Sequence, residues 1–265
     1  MIKLLGIPFD SNSSFLKGAA LAPSRIRLMD TDGSANPFSE TGIEIKNGKN
    51  FHDIGDLVFA TSDPETAYST IKEHIIREMV PDNKLICLGG DHSISYPIIE
   101  AYTEKYPDLH VLHIDAHGDL YENFDNNPYS HASPFARLLE KNKIQSLTQV
   151  GIRTLNDHQR AQAVKYGVEI IEMKDFNFDF ISSLKSPLYI SLDIDVLDPA
   201  FAPGISHHEP GGMSTRELIK IIHSISVPIA GADIVEYNPM RDINYMTAMV
   251  AYKLFKELVS KMLAL

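Results

Sequence analysis

The sequence predicts an α/β fold built on one mainly parallel sheet with helices covering both faces. Two observations predict it. Short apolar, β-branched runs alternate with longer amphipathic stretches along the whole chain, the pattern of repeated strand–helix–strand units. The chain has 265 residues without an internal repeat, low-complexity tract or linker, which suits one domain over 1–265.

The apolar runs place strands at Ile2–Ile7, Leu85–Leu88, His110–Ile114, Thr148–Ile152, Val168–Ile171, Leu188–Leu192 and Ile229–Val235. Amphipathic stretches place helices at Glu65–Met79, Ser95–Lys105, Ser133–Glu140, Asp157–Tyr166, Ser214–Ser224 and Ile243–Met262. A strand that returns through a helix lies parallel to its predecessor, hence the parallel sheet. The stretch around Asp30–Lys49 is polar and rich in Gly, Asn and Ser, and reads as a loop excursion.

Hydrophobic residues make up 44% of the chain and charged residues 22%, enough apolar matter for a sizeable core and too much for disorder. The net charge of −11 repels nucleic acid and anionic lipid and suits cationic ligands and metal ions. The one cysteine, Cys87, lies in an apolar run and reads as a buried core thiol; it cannot make an internal disulfide. The opening Met1–Pro8 is too short for a signal peptide, and no apolar stretch approaches the ~18 residues a membrane span needs. A cytoplasmic enzyme with a small-molecule substrate is expected.

Three clusters carry the chemistry. Gly89-Gly90-Asp91-His92 follows one strand, Asp115-Ala116-His117-Gly118-Asp119 a second, and Asp193-Ile194-Asp195 a third. In open α/β sheets ligands bind outside the carboxyl ends of the strands. Asp115, His117 and Asp119 are spaced two apart, as are Asp193 and Asp195, so extended backbone would point each set one way. His92 can join them from the third strand end. Four carboxylates buried together need cations, because burial and like charge both oppose ionisation. Six ligands, rich in carboxylate and free of thiolate, suit two divalent ions and favour Mn²⁺, with Fe, Co, Ni and Zn as other occupants. Asp91 reads as a turn or helix cap, and Asp198 before Pro199 as a loop-shaping residue. His113 shares the parity of Asp115 and reads as a satisfied core histidine one layer beneath.

Taken with Gly231-Ala232-Asp233-Ile234-Val235-Glu236-Tyr237-Asn238-Pro239 and Ser191–Gly204, these clusters resemble the ureohydrolase family of arginases, agmatinases, guanidinobutyrases and formiminoglutamases. Tyr129–Arg137 and Ser206–Gly212 look most like plant-type arginases, themselves close to agmatinases. The resemblance implies a three-layer α/β/α sandwich and a dimanganese site at His92, Asp115, His117, Asp119, Asp193 and Asp195. It also implies a homo-oligomer, trimer or hexamer, and release of urea from a guanidino compound, agmatine or L-arginine foremost. His131 matches the family's proton-shuttling histidine and Glu236 its guanidinium-binding glutamate. Asp119 then passes on the proton of the attacking water. Asn156 stands where animal-type arginases carry an aspartate that contacts the substrate α-ammonium; plant-type arginases also carry Asn there. His207 and His208 are candidates for the mouth of the site. The other readings are a formiminoglutamase or guanidino-acid hydrolase, a single-zinc deacetylase-like amidohydrolase, and a relative that has lost activity.

Overall fold

The computed structural model describes residues 1–80 and 82–265. Among them, eight strands form one sheet, all neighbours parallel. They are β1 (Ile2–Gly6), β2 (Phe51–Asp56), β3 (Lys84–Leu88), β4 (His110–Ile114), β5 (Ser146–Ile152), β6 (Glu169–Glu172), β7 (Leu188–Asp193) and β8 (Ile229–Val235). Seven α-helices accompany them: α1 (Ala22–Thr31), α2 (Pro64–Glu78), α3 (Ser95–Lys105), α4 (Pro134–Glu140), α5 (Asp157–Tyr166), α6 (Thr215–Ser224) and α7 (Met246–Ala264). The seven expected strands and six expected helices are present; β4, β8, α3 and α5 have the expected ends and the others are shifted, while β2 and α1 add to the expected set.

The spatial order is β2-β1-β3-β8-β7-β4-β5-β6. The chain leaves β3, crosses to β4 and builds outward. It then returns to fill the gap with β7 and β8. Every residue of β7 and β8 is buried, as central strands covered on both faces must be. On one face Ile26 and Met29 of α1, Leu218 and Ile222 of α6, and Leu254 and Leu258 of α7 pack on the sheet. On the other, Ile71 and Ile75 of α2, Ile98 and Ile99 of α3, and Phe135 and Leu138 of α4 do so. The result is a three-layer α/β/α sandwich. Each such side chain contributes about 1.5–3 kcal/mol relative to exposure.

Local chemistry starts the helices. Asp63 caps α2 ahead of Pro64, and Ser214 with Glu217 forms a reciprocal capping box on α6. Among the described residues no helix is long and apolar enough to cross a membrane.

Candidate active site

The four central strands β3, β8, β7 and β4 end on the same side of the sheet, where their order reverses. Ile114 pairs with Leu192, so Asp115 and Asp193 leave adjacent strands side by side. His92 opens a short 3-10 turn after β3, and Asp195 sits in another, Ile194–Val196, after β7. Extended backbone aims Asp193, the last residue of β7, but not the whole set. Turns aim His92 and Asp195, and Asp119 takes a left-handed φ of 49°.

All six sequence-predicted ligands converge. His92 Nδ1 lies 3.1 Å from one oxygen each of Asp115, Asp119 and Asp193. His117 Nδ1 lies 2.9 Å from Asp195 Oδ2 and 3.4 Å from Asp115 Oδ1. These are two adjacent nests, and Asp115 belongs to both. His92 Nδ1 is buried and makes no well-aligned hydrogen bond despite three oxygens around it. That is the geometry of a ligand set: atoms about 2.1 Å from a shared ion in octahedral coordination lie about 3.0 Å apart.

Electrostatics agree. Burial opposes charge on His92, yet Asp115, Asp119 and Asp193 hold its pKa well above the ordinary imidazole range. Burial, with Asp195 and Asp115 beside it, lifts Asp193 well above the usual carboxylate range. Burial also raises Asp195, against the opposing pull of His117. Asp115 goes the other way: despite burial, His113, His117 and His92 hold it well below the usual carboxylate range. Two carboxylates pushed up and two imidazoles that draw protons mark a buried cluster that bound positive charge would relieve. The donor set fits divalent cations.

Around the nests, hydrogen bonds fix the ligands. His92 Nε2 lies 3.0 Å from Ser191 Oγ, which donates to the buried carboxylate of Asp233 at 2.8 Å, so Nδ1 is left for the nest. His113 lies 2.7 Å from Asp115 Oδ2 through Nε2, and Gln149 meets its Nδ1 at 2.9 Å. It is the satisfied histidine beneath the ligands, although it is near enough to be counted among them. Asp91 accepts from Ser93 N and Asn12 N, a cap as expected, and burial beside Glu236 pushes its pKa up to about 6.

Glu236 and His131 stand next to the ligands. Glu236 leaves β8 with φ 63°, which turns its carboxylate back over the crevice. Its Oε1 accepts from His92 N at 2.8 Å and lies 2.8 Å from His131 Nδ1. Burial works against both charges, but each stabilises the other: Glu236 falls below its ordinary pKa and His131 rises to about 9.

A cavity of about 280 Å³ opens over this floor. His117, Asp119, His131, Asp193, Asp195 and Glu236 line it together with Tyr121, Phe124, Thr154, Gln159, His207 and Glu209. His207 stacks on Phe15 and lies 5.5–5.7 Å, ring to ring, from His131 and His117. His208 turns away to Pro203 O. Asn156 caps α5 through Gln159 N and holds the Tyr121 hydroxyl at 2.7 Å. Asp198 accepts from Gly211 N and Gly212 N and so shapes the His207–Glu209 loop. Ser14, Tyr121 and Phe124 carry no motif, and only their meeting in space marks them; Glu209 lies in the Ser206–Gly212 segment, which assigns it no role by itself.

Comparison with known proteins shows the family. The model of the Arginase family matches residues 1–260. The chain belongs to the arginase family. It is 45% identical to arginase 1, mitochondrial, of Arabidopsis thaliana, over 97% of this chain and 80% of that one. It is 31% identical to an agmatinase of Bacillus subtilis, over 97% and 90%. The arginase from Medicago truncatula superimposes with a TM-score of 0.89 at 39% identity, covering 98% of this chain and 87% of that one. This arginase-family protein is thus a metal-dependent hydrolase of the kind that acts on guanidino compounds.

Proposed function

We propose that this arginase-family enzyme hydrolyses a guanidino compound with an ammonium at its far end, agmatine or L-arginine, to urea and an amine, using two Mn²⁺ ions. The observation that carries the reading is the position of Glu236. It is a buried carboxylate beside the ligand nests but outside them, facing the cavity. There it can take a guanidinium through two parallel N–H···O bonds and hold its carbon over the nests.

His92, Asp115, Asp119 and Asp193 would hold one ion, and Asp115, His117 and Asp195 the other. When bound, the pair would supply a water acidic enough to ionise near neutral pH. Asp119, at the cavity floor, takes up the proton of the attacking water and passes it on. His131, which lines the same cavity, delivers a proton to the departing amine. Tyr121 and Phe124 flank the substrate methylenes, and Asn156 acts by fixing Tyr121.

The far end of the cavity favours ammonium over a lone carboxylate. Glu209 is exposed and lines the cavity, and among the described residues no lysine or arginine lines it. Arg153, the nearest candidate, is engaged by the backbone carbonyls of Asp195, Val196, Leu197 and Glu209. Guanidinobutyrate, guanidinopropionate and formiminoglutamate would meet no fixed cation there.

The test is a panel of these five compounds with manganese-loaded enzyme, read by urea or formamide release, beside metal analysis. Two ions per chain and urea from arginine or agmatine support the reading. One zinc per chain, or release only from the acids, overturns it. A homo-oligomer, trimer or hexamer, is supported by the exposed apolar Phe201, Tyr245 and Met246 around a shallow cavity with Met29 and Met249. A cytoplasmic site rests on the free Cys87 and lack of disulfides; fractionation checks it against the mitochondrial name of the plant relative.

A further inference from the structure

His131 has a second partner besides Glu236. Its Nε2 lies 2.7 Å from Ser14 Oγ and 3.1 Å from the backbone N–H of the same residue, with that N–H aimed at the ring nitrogen. An imidazole that moves protons alternates between two states, and these ask opposite things of Nε2. The cation needs an acceptor there, and the neutral ring needs a donor. One residue here offers both. When His131 is charged, Nε2–H donates to Ser14 Oγ while Nδ1–H donates to Glu236. When it is neutral with the proton on Nδ1, Nε2 accepts from Ser14 N–H and the bond to Glu236 remains.

We infer that Ser14 is the positioning residue of the proton shuttle: its hydroxyl and its amide bind the charged and neutral forms of His131 in turn, so the ring changes protonation without moving. This rests on the reading of His131 as the shuttle.

The loop carrying Ser14 is fastened well enough to do this. Asn12 is buried; its N–H donates to Asp91 Oδ2 at 3.0 Å, and its side chain donates to Tyr68 OH and Ser93 Oγ. Its carbonyl accepts from His131 N at 3.2 Å, tying the Ser14 loop directly to the His131 loop. Six residues on, Gly18 N donates to Asp10 Oδ2 at 2.7 Å, closing the loop on itself. The groups that face His131 are Glu236 on the β8 end, Asp91 on the β3 end, Asp119 on the β4 end and the ring of His207. None of these supplies both a donor and an acceptor to Nε2.

The experiment compares wild type, Ser14→Ala and Ser14→Thr. Alanine keeps the amide and deletes the hydroxyl, so only the charged form of His131 loses a partner. Threonine restores the hydroxyl. The first readout is the His131 titration by nitrogen-15 NMR of histidine-labelled protein loaded with diamagnetic zinc, which requires no turnover. The second is the pH profile of kcat with manganese. In Ser14→Ala the His131 pKa should fall by roughly half a unit to one unit, the size expected for a partly exposed hydrogen bond to a charged group. The alkaline fall-off of kcat should move to lower pH by a similar amount, and Ser14→Thr should return both. Superposable titrations, or a uniform loss of kcat at every pH with an unmoved pKa, overturn the inference. A moved titration with an unmoved pH profile overturns the shuttle role of His131 itself and leaves the contact intact.

Discussion

Glu236 accepts two hydrogen bonds, and one of its partners, the His131 ring, is of the same sign and planarity as a guanidinium. Glu236→Gln keeps the shape and removes the charge, presenting a donor to a donor-rich substrate. We expect kcat/KM to fall roughly 10–100-fold, with kcat lowered as well as KM raised, and two metal ions retained. Loss of an ion would move Glu236 into the ligand set. The same variant tests the ion pair. His131 has a folded pKa of about 9 against an ordinary 6.5, so the pair stabilises the fold fully below about pH 6.5 and loses that contribution as pH rises through 9. Wild-type Tm should therefore decline across that window more than that of Glu236→Gln; equal slopes would count against the pair. At the cavity mouth, Glu209→Lys should shift the kcat/KM ratio of agmatine to guanidinobutyrate toward the acid. The shift should be about three- to tenfold, since Glu209 is exposed, and should shrink in high salt. An unchanged ratio would remove Glu209 from substrate selection.

Between the residue and the molecule, turns do most of the positioning. A Cβ on Gly90 would stand 1.8 Å from the carbonyl oxygen of Phe9, a backbone atom that cannot swing aside. Gly90 O also accepts from Glu236 N, and Asp91 N donates to Phe9 O. The β3 exit, the β1 exit and the Glu236 turn are thus pressed together at one point. Gly90→Ala should lower stability by about 1–3 kcal/mol and weaken manganese binding, measured by Tm and by metal titration. A variant with wild-type Tm and metal affinity would show that the contact yields freely. The sequence made β3, β4, β7 and β8 plain because they are short apolar runs ending in loaded motifs. Strand β2 was hidden: its Phe-His-Asp-Ile-Gly-Asp pairs only with β1 at the sheet edge, where charged residues are tolerated and one buried phenylalanine suffices. Helix α1 was hidden too, because its apolar side is only Ala22, Pro23, Ile26 and Met29, and packing against α7 rather than propensity secures it. The six ligands were legible for the opposite reason, since metal chemistry restricts residue type and spacing. Ser14 was not, because nothing local distinguishes a loop serine, and the segment Ser206–Gly212 marked Glu209 without giving it a role.

On the scale of the whole molecule, the binding of cations and the stability of the fold should be one quantity. Asp115, Asp119, Asp193 and Asp195 are all buried on the two central strand ends that organise the sheet, with Asp115 common to both nests. Like charges at this range repel through a poor dielectric, and the unfolded chain has no such cluster, so ions that bind the folded form stabilise it by mass action. At a manganese concentration a hundred times Kd, each site adds about 2.7 kcal/mol. For a chain of this size that corresponds to roughly 5–10 °C in Tm per site. Chelation should reverse the gain. The gain should also be larger at pH 8 than at pH 5.5, because His92, His117 and the raised carboxylates Asp193 and Asp195 must release protons to bind metal. Thermal melts in chelator and in graded manganese at the two pH values measure this directly. Asp193→Asn should remove most of the gain, while Glu236→Gln should keep it, separating the ligands from the substrate carboxylate. A melt that ignores manganese at pH 8 would mean that the nests do not hold the ion, and the hydrolytic reading would then lack its source of activated water.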